Sequence, residues 1–123
     1  MIYGSHSDYW KLGATDNDGR TEWERRVLFL VISTPRPEHP STVVRSRKKF
    51  WRWIDPKLKS KQCRFVHART GRGAVALFDV KSNEELHALL NAWADIIPAH
   101  FDLYPLIDSA AARRYLGRSK RGT

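Results

Sequence analysis

Residues 73–106, with the sequence GAVALFDVKSNEELHALLNAWADIIPAHFDLYPL, decide the fold of this chain. The apolar run at 74–80 predicts a buried strand that ends before Lys81. A second strand-like run occupies residues 100–106. Between the two, the spacing of apolar residues changes from that of a strand to that of a helix. The stretch therefore predicts a strand, a helix and a strand in one continuous unit.

The helix of this unit carries its own start and stop signals. Ser82 stands before the helical pattern and Glu85 follows it by three residues, which is the spacing of a capping box. Pro98 limits the helix, because the residue before a proline is disfavoured in the α region. The apolar face consists of Leu86, Leu89, Leu90 and Trp93. We expect the rest of the chain to pack against this unit.

The residues before this unit add a strand, a helix and a further strand. Residues 26–33 form an apolar run, and residues 41–54 carry an amphipathic helical pattern that Pro56 closes. Cys63–Ala68 is a short strand followed by a glycine-containing turn. The complete order is β-α-β-β-α-β, the ferredoxin-like arrangement. We therefore predict an α+β fold with a four-stranded antiparallel sheet and both helices on one face.

Two of the predicted strands are more apolar than such a sheet requires. Residues 27–32 and 74–78 are apolar at every position, whereas one face of the sheet has no cover from the two helices. A second copy of the chain would supply that cover. We therefore predict a homodimer or higher homo-oligomer in which two sheets enclose a shared cavity.

Length and composition bound the remaining possibilities. A chain of 123 residues is one domain by length. We expect an irregular N-terminal arm at 1–24, the ferredoxin-like domain at 25–108, and a short C-terminal helix with a basic tail at 109–123. No run approaches the roughly 20 apolar residues that span a bilayer, so we expect no membrane partner. The single cysteine, Cys63, excludes an intrachain disulfide and favours a reducing, cytoplasmic setting.

Positive charge is concentrated in the middle of the chain. The formal net charge is +9, and residues 45–72 contain eleven Lys or Arg and one acid, Asp55. Such a surface attracts anions, including nucleic acids and acidic small molecules. The strand order is also that of RNA-recognition domains, which makes nucleic-acid binding an alternative function. Those domains stack bases on aromatic residues of the third strand, whereas the matching positions here are Ala74, Ala76 and Asp79.

Several residues of the second half carry a resemblance to a known family. They are Phe78-Asp79-Val80, Ser82, Glu85-Leu86-His87, Leu90 and Asp102. On these residues the chain resembles the muconolactone isomerase-like branch of the dimeric α/β-barrel superfamily, over residues 26–108. Muconolactone isomerase moves a double bond in a small acidic lactone by proton transfer, without metal or organic cofactor. The resemblance implies a cofactor-independent isomerase type of enzyme acting on a lactone, enol or polyketide-like substrate.

Two departures from that family's pattern bear on the substrate. The first helix has no carboxylate from residue 40 to residue 54, and Tyr104 stands where the family has an acidic residue two places after Asp102. We therefore expect a different substrate on the same scaffold.

Alternation along the strands divides the candidate site residues between faces. His100, Asp102, Tyr104 and Leu106 share one face of the last strand, which we assign to the cavity, whereas Phe101, Leu103 and Ile107 suit the helices. In the Cys63–Ala68 strand, His67 and Arg64 fall on opposite faces. The sequence leaves open which of the two lines the cavity.

Acid–base isomerisation needs a base that titrates near neutral pH and a group that stabilises an enolate. His67 or His100 could serve as the base. Asp102 could orient a histidine or act as the base itself. Tyr104 could donate a hydrogen bond to the developing oxyanion. We take these four residues as the catalytic candidates.

Two further residues are candidates for binding the substrate, which we expect to be small and either anionic or aromatic. Arg64 could hold a carboxylate with its paired donors, and Trp51 could wall the pocket. No zinc-ligand spacing or phosphate-binding loop is visible, so we expect neither a metal nor a cofactor. A cofactor-independent monooxygenase or cyclase of the aromatic polyketide type is an alternative function, as is a ligand-binding module without catalysis.

Overall fold

A computed structural model of the chain describes residues 26–119. They form β1 (Val27–Pro35), α1 (Val44–Ser60), β2 (Cys63–Ala68), β3 (Ala74–Val80), α2 (Asn83–Ile96), β4 (Ala99–Leu106) and α3 (Ser109–Ser119). The strands form one sheet in the order β2-β3-β1-β4, and all neighbours are antiparallel. The predicted α+β class and the β-α-β-β-α-β order are confirmed. The arm predicted at 1–24 lies outside the described residues.

One face of the sheet is covered by α1 and α2 and holds the core. Alternate residues of the two central strands point to this covered face, among them Val31 from β1 and Phe78 from β3, which are both fully buried. Phe50 and Ile54 approach them from α1, and Trp93 approaches them from α2. The period-two alternation of the strands and the period-3.6 stripes of the helices thus meet in one apolar layer.

Trp93 lies at the centre of the core and is 2% exposed. Its ring centroid is 4.7 Å from that of Phe50, 5.2 Å from that of Phe101 and 6.3 Å from those of Trp53 and Phe78. These separations are within the range of favourable aromatic pairs. One side chain therefore joins α2 to α1, β3 and β4.

The start of α2 follows the capping box with one change. The Ser82 hydroxyl accepts a hydrogen bond from the amide of Glu85 at 3.1 Å, as the spacing predicts. The Glu85 carboxylate reaches back to the amide of Lys81 at 2.9 Å, one residue earlier than the standard partner. Both contacts satisfy amides near the helix start that lack an intrahelical acceptor.

The prediction that Pro56 ends the first helix is wrong. Helix α1 continues through Pro56 to Ser60, and Lys61 ends it in the left-handed conformation with φ of 70°. A proline removes one helical hydrogen bond. Packing of Leu58 against the core, and the Lys57 ammonium 4.4 Å from the Trp53 ring centroid, hold the last turn in place. Residues 57–60, which lie beyond the predicted end of the helix, are therefore helical.

Two other element ends differ from the sequence prediction. Strand β1 includes Pro35, which pairs with Ala99 of β4, whereas β3 pairs with β1 only as far as Ser33. Pro35 therefore lies where the strand has a single neighbour, a position that tolerates a missing amide proton. Gly117 predicts the end of the last helix, because glycine commonly follows a helix end, but α3 continues through it to Ser119. None of the helices within 26–119 has the length and apolar character that crossing a membrane requires.

Candidate functional site

The face of the sheet opposite α1 and α2, called the open face from here on, is apolar at its centre. Leu28, Leu30 and Ile32 of β1 alternate with the core residues, and Leu30 and Ile32 pair with Leu77 and Val75 of β3. All five side chains are half-buried. The two helices that form the core lie on the other face, so neither covers this surface.

Strand β4 brings the predicted polar residues to the open face. In the register with β1, Asp102 lies opposite Ile32, and Tyr104 lies opposite Leu30. His100, two residues before Asp102, shares that face because side chains alternate along a strand. Phe101 points the other way, into the core against Trp93. The predicted alternation of His100, Asp102 and Tyr104 with Phe101 is therefore present, but Leu103 is 44% exposed and Ile107 lies beyond the end of β4 and is 73% exposed.

His100 and Asp102 form a hydrogen-bonded pair. His100 Nε2 lies 3.1 Å from Asp102 Oδ1, and the two side chains are 74% and 50% exposed. A carboxylate that accepts from one ring nitrogen fixes the tautomer and leaves the other nitrogen free for chemistry. The pair can therefore bind and release a proton at a defined atom, and it is open to a substrate.

Tyr104 follows Asp102 on the same face and is 50% exposed. Residues two apart in a strand are separated by roughly 7 Å, so His100 and Tyr104 flank Asp102 at similar distances. A small molecule lying over Asp102 would contact the imidazole at one end and the phenol at the other.

A β-bulge brings both candidate residues of β2 to the same side of the sheet. The register shifts between Cys63 and Phe65, so that Phe65 pairs with Leu77 and His67 with Val75 on the open face. Arg64 also reaches this face, where its guanidinium contacts Asp79. The extra residue of a bulge breaks strict alternation, and both predicted candidates of β2 therefore share one side of the sheet.

At this edge of the sheet His67 stacks on an aromatic neighbour and Arg64 is already paired. The rings of Phe65 and His67 are stacked with centroids 5.3 Å apart. Arg64 donates from Nε and Nη2 to the Asp79 carboxylate at 3.0 and 2.6 Å. The paired donors predicted to hold a substrate carboxylate therefore hold a carboxylate of the protein itself.

Asp79 joins two arginines and was not among the predicted site residues. It is 5% exposed, and Arg26 donates to its carboxylate from Nε at 2.7 Å while Arg64 binds the other oxygen. Arg26 also donates to the Asp79 backbone carbonyl. The only sequence signal for this cluster is an acid inside the apolar 74–80 strand. A buried carboxylate of this kind requires charged partners.

The candidate residues form two groups at opposite edges of the sheet. His67 belongs to edge strand β2, and the His100–Asp102 pair belongs to edge strand β4. His67, Val75, Ile32 and Asp102 lie in one row across the four strands. Neighbouring strands are about 4.8 Å apart, so His67 and Asp102 are separated by roughly 14 Å in the backbone. One chain therefore does not bring all four catalytic candidates to one small substrate.

Trp51 and Cys63 lie away from the open face. Trp51 lines a pocket on the helical side of the sheet, so the structure does not join it to His67 or His100. Cys63 is fully buried in the core, and burial raises the pKa of its thiol to about 11. A thiol with so high a pKa is a poor nucleophile at neutral pH.

Within residues 26–119, no three His, Cys, Asp or Glu side chains cluster as metal ligands.

The comparisons with known proteins give a family match and no curated relative. A family model described as "Domain of unknown function (DUF3303)" matches residues 27–120, from the start of β1 to just past the end of α3. The match covers well over half of the chain. A search of curated proteins finds no match. The description of the family names no activity, so a function has to be argued from the geometry of the site.

Proposed function

This chain belongs to the DUF3303 family, and we propose that it is a small-molecule enzyme of the isomerase type. The substrate class is a small anionic or aromatic lactone, enol or polyketide-like compound. One observation carries the proposal: a histidine and an aspartate form a hydrogen bond on a sheet face whose centre is apolar. Histidine is the side chain that most often transfers protons in enzymes, and a carboxylate partner orients its ring.

In this proposal His100 is the base. The Asp102 carboxylate accepts a hydrogen bond from Nε2–H, which leaves the Nδ1 lone pair to take a proton from the carbon beside the substrate carbonyl. The imidazolium that forms is stabilised by the same carboxylate. It then returns the proton to another carbon of the enolate, so that a double bond moves and no proton is gained or lost overall. Tyr104 donates from its hydroxyl to the enolate oxygen.

The proposed site needs a second copy of the chain to exclude water. His100 and Asp102 are both largely exposed in the single chain, and an exposed charge stabilises a transition state weakly. The apolar residues of the open face, such as Leu30 and Leu77, favour burial against another sheet. We propose that a second copy packs on the open face and that the substrate binds between the two sheets.

The second copy would also give His67 a place in the site. A two-fold axis parallel to the strands places the β2 edge of one sheet over the β4 edge of the other. Packed sheets lie about 10 Å apart, and side chains from both reach a molecule between them. His67 of one copy would then face His100 and Asp102 of the other copy, although the two edges are far apart within one chain.

Proton exchange tests the proposed chemistry without knowledge of the exact substrate. Small unsaturated lactones and enols are incubated with the protein in D2O, and NMR follows deuterium entry at the carbon beside the carbonyl. We expect exchange with the unmodified protein and a roughly 10²-fold or greater loss with His100→Gln. The matched control is His87→Gln, because His87 is an exposed histidine of α2 that bonds to Asn91. Exchange that His100→Gln leaves unchanged would overturn the assignment of the base.

Mixed dimers test the proposed contribution of His67. If each site takes His67 from one copy and His100 from the other, a 1:1 mixture of His67→Ala and His100→Ala chains contains heterodimers with one intact site. We expect such a mixture to recover about a quarter of the unmodified activity by random pairing, although each variant alone is inactive. No recovery after verified subunit exchange would remove His67 from the proposed site.

Oxygen consumption during turnover would favour the monooxygenase alternative over an isomerase.

Nucleic-acid binding is a second candidate, and the outer surface of α1 favours it. Arg45, Lys48, Lys49 and Arg52 are all exposed on this helix. The open-face residues of β3 are Val75, Leu77 and Asp79, none of which can stack on a base. Binding would therefore go to the phosphate backbone. It would weaken steeply with salt and be lost on charge reversal at Lys48 and Lys49.

A further inference from the structure

The pocket that Trp51 lines lies on the covered side of the sheet and has no role in the proposed proton transfer. It has a volume of about 180 Å³ and opens between α1, the β2–β3 turn and the end of α2. Ligand pockets for drug-sized molecules have volumes of roughly 300–1,000 Å³. This one is therefore sized for a single ring with a short side arm.

The charge of the pocket is entirely positive. Arg47, Arg69 and Arg72 line it, and no Asp or Glu is among its lining residues. Arg69 is held at the rim, where Nη1 donates to the Ser33 carbonyl and the Thr34 hydroxyl, each at 3.0 Å. Three guanidinium groups without a carboxylate among them form a site for an anion.

Two of these arginines have donors available for a ligand. The Nε atom of Arg72 is buried and has no hydrogen-bond partner, although its Nη1 donates to the Glu38 carbonyl at 3.1 Å. A buried donor without a partner costs free energy, which a bound acceptor would recover. Within residues 26–119, the side chain of the half-buried Arg47 forms no hydrogen bond or ion pair. Its guanidinium is therefore free to bind an anion.

The remaining walls are apolar and aromatic. Phe50 and Trp51 of α1 face Trp93 and Ile97 of the α2 end across the pocket, and Val43 and Ala74 complete it. A hydrated inorganic anion would gain nothing from these walls, whereas an aromatic ring would lose its water-exposed surface against them. The pocket thus combines an anion site with an apolar cleft.

We infer that this pocket binds a small aromatic carboxylate, with the carboxylate at Arg47 and Arg72 and the ring against Trp51 and Trp93. Its lining contains no His, Lys, Tyr, Cys or acidic side chain. It therefore lacks a group that exchanges protons near neutral pH, which makes it a binding site separate from the His100–Asp102 pair. The inference does not depend on the activity proposed for the open face.

Three probes separate the two features of the pocket. Phenylacetate has both the ring and the charge, phenylacetamide has the ring alone, and inorganic phosphate has the charge alone. Calorimetry measures each affinity, and a change in tryptophan fluorescence that Trp51→Phe reduces reports occupancy of the pocket. We expect phenylacetate to bind at least tenfold more tightly than either of the other two. Equal affinity for the acid and the amide, or for phenylacetate and phosphate, would overturn the inference.

Matched arginine variants locate the binding. Arg47→Gln removes a lining guanidinium, whereas Arg45→Gln removes one from the exposed surface of the same helix. We expect about tenfold weaker phenylacetate binding for Arg47→Gln and no change for Arg45→Gln, with phenylacetamide binding the same in both. Arg72→Lys keeps the charge of the β2–β3 turn and removes the Nε donor, and we expect a severalfold loss. An equal loss in Arg45→Gln and Arg47→Gln would show attraction to net charge and would overturn the site.

Discussion

The covered face and the open face of the sheet differ in how deeply their side chains are buried and in which polar residues they carry. Val31 on the covered face is fully buried, whereas its neighbour Leu30 on the open face is half-buried. The covered face consists of apolar side chains that fit one another, and the open face adds His67, His100, Asp102 and Tyr104 at its edges. Fold stability therefore depends chiefly on one face, and the chemistry proposed for the protein depends on the other.

The largest expected effect is loss of the central core ring. Trp93→Ala removes a side chain that contacts four other aromatic rings, and we expect the free energy of unfolding to fall by about 3–5 kcal/mol. Tyr104→Ala is the control on the open face, where the side chain is 50% exposed, and it should cost about 1 kcal/mol or less in a single chain. Urea unfolding measures both. Equal losses would contradict the contrast between the faces.

The next effect concerns the turn that joins β2 to β3. Gly73 has φ of +103°, and a methyl group there would overlap the Ser33 carbonyl oxygen, so Gly73→Ala should cost about 2–4 kcal/mol. Gly71 has φ of +97° but has open space around it, so Gly71→Ala should cost only the backbone strain, about 1–2 kcal/mol. Thermal or urea unfolding compares the two variants. A Gly73→Ala protein no less stable than the Gly71→Ala protein would contradict the close approach of the turn to β1.

A smaller effect is expected at the buried ion cluster of the open face. Asp79→Asn keeps the shape of the side chain but removes the charge that Arg26 and Arg64 share, and we expect a loss of about 1–3 kcal/mol. Asp95→Asn, at an exposed position of α2, is the control and should change stability by about 0.5 kcal/mol or less. Unfolding in urea at low and moderate salt measures the difference. A gain of stability in the Asp79→Asn protein would mean that desolvation of the carboxylate outweighs its two ion pairs.

The covered face was largely predictable from the sequence because its signals are local. The bounds of β2 and β3 agree with the predicted runs, and Ser82 caps α2 as its spacing predicts. The predicted helix end at Pro56 was wrong because the low helix propensity of one proline competes with the packing of the next turn against the core. That packing can be seen only in the folded chain. Trp51 and Trp53 illustrate the same limit. Both lie in one helical pattern, but Trp53 packs on the core, whereas Trp51 is 42% exposed.

On the open face, the direction of a side chain was predictable only where it depends on alternation within a single strand. Alternation within β4 was enough to place His100, Asp102 and Tyr104 together. The bulge in β2 depends on how that strand pairs with β3, so the face of Arg64 could not be read from alternation. Asp79 is 53 positions from Arg26 and 15 positions from Arg64 in the sequence, yet it binds both. Contacts over such separations come from the register of the sheet and have no local signature.

The smallest expected effect tests how fully the covered face excludes water. Burial raises the pKa of the Cys63 thiol from 9.0 to about 11. Because the folded chain holds this proton more tightly than the unfolded chain, the contribution of Cys63 to stability is present below pH 9 and is lost as the pH rises toward 11. Between about pH 8 and about pH 10 the protein should therefore lose about 1 kcal/mol more than Cys63→Ala does. Urea unfolding of both proteins at the two pH values measures this difference, and titrating groups other than Lys57, which interacts electrostatically with Cys63, cancel in the comparison. Parallel stability curves would show that the thiol is accessible to water in the folded chain.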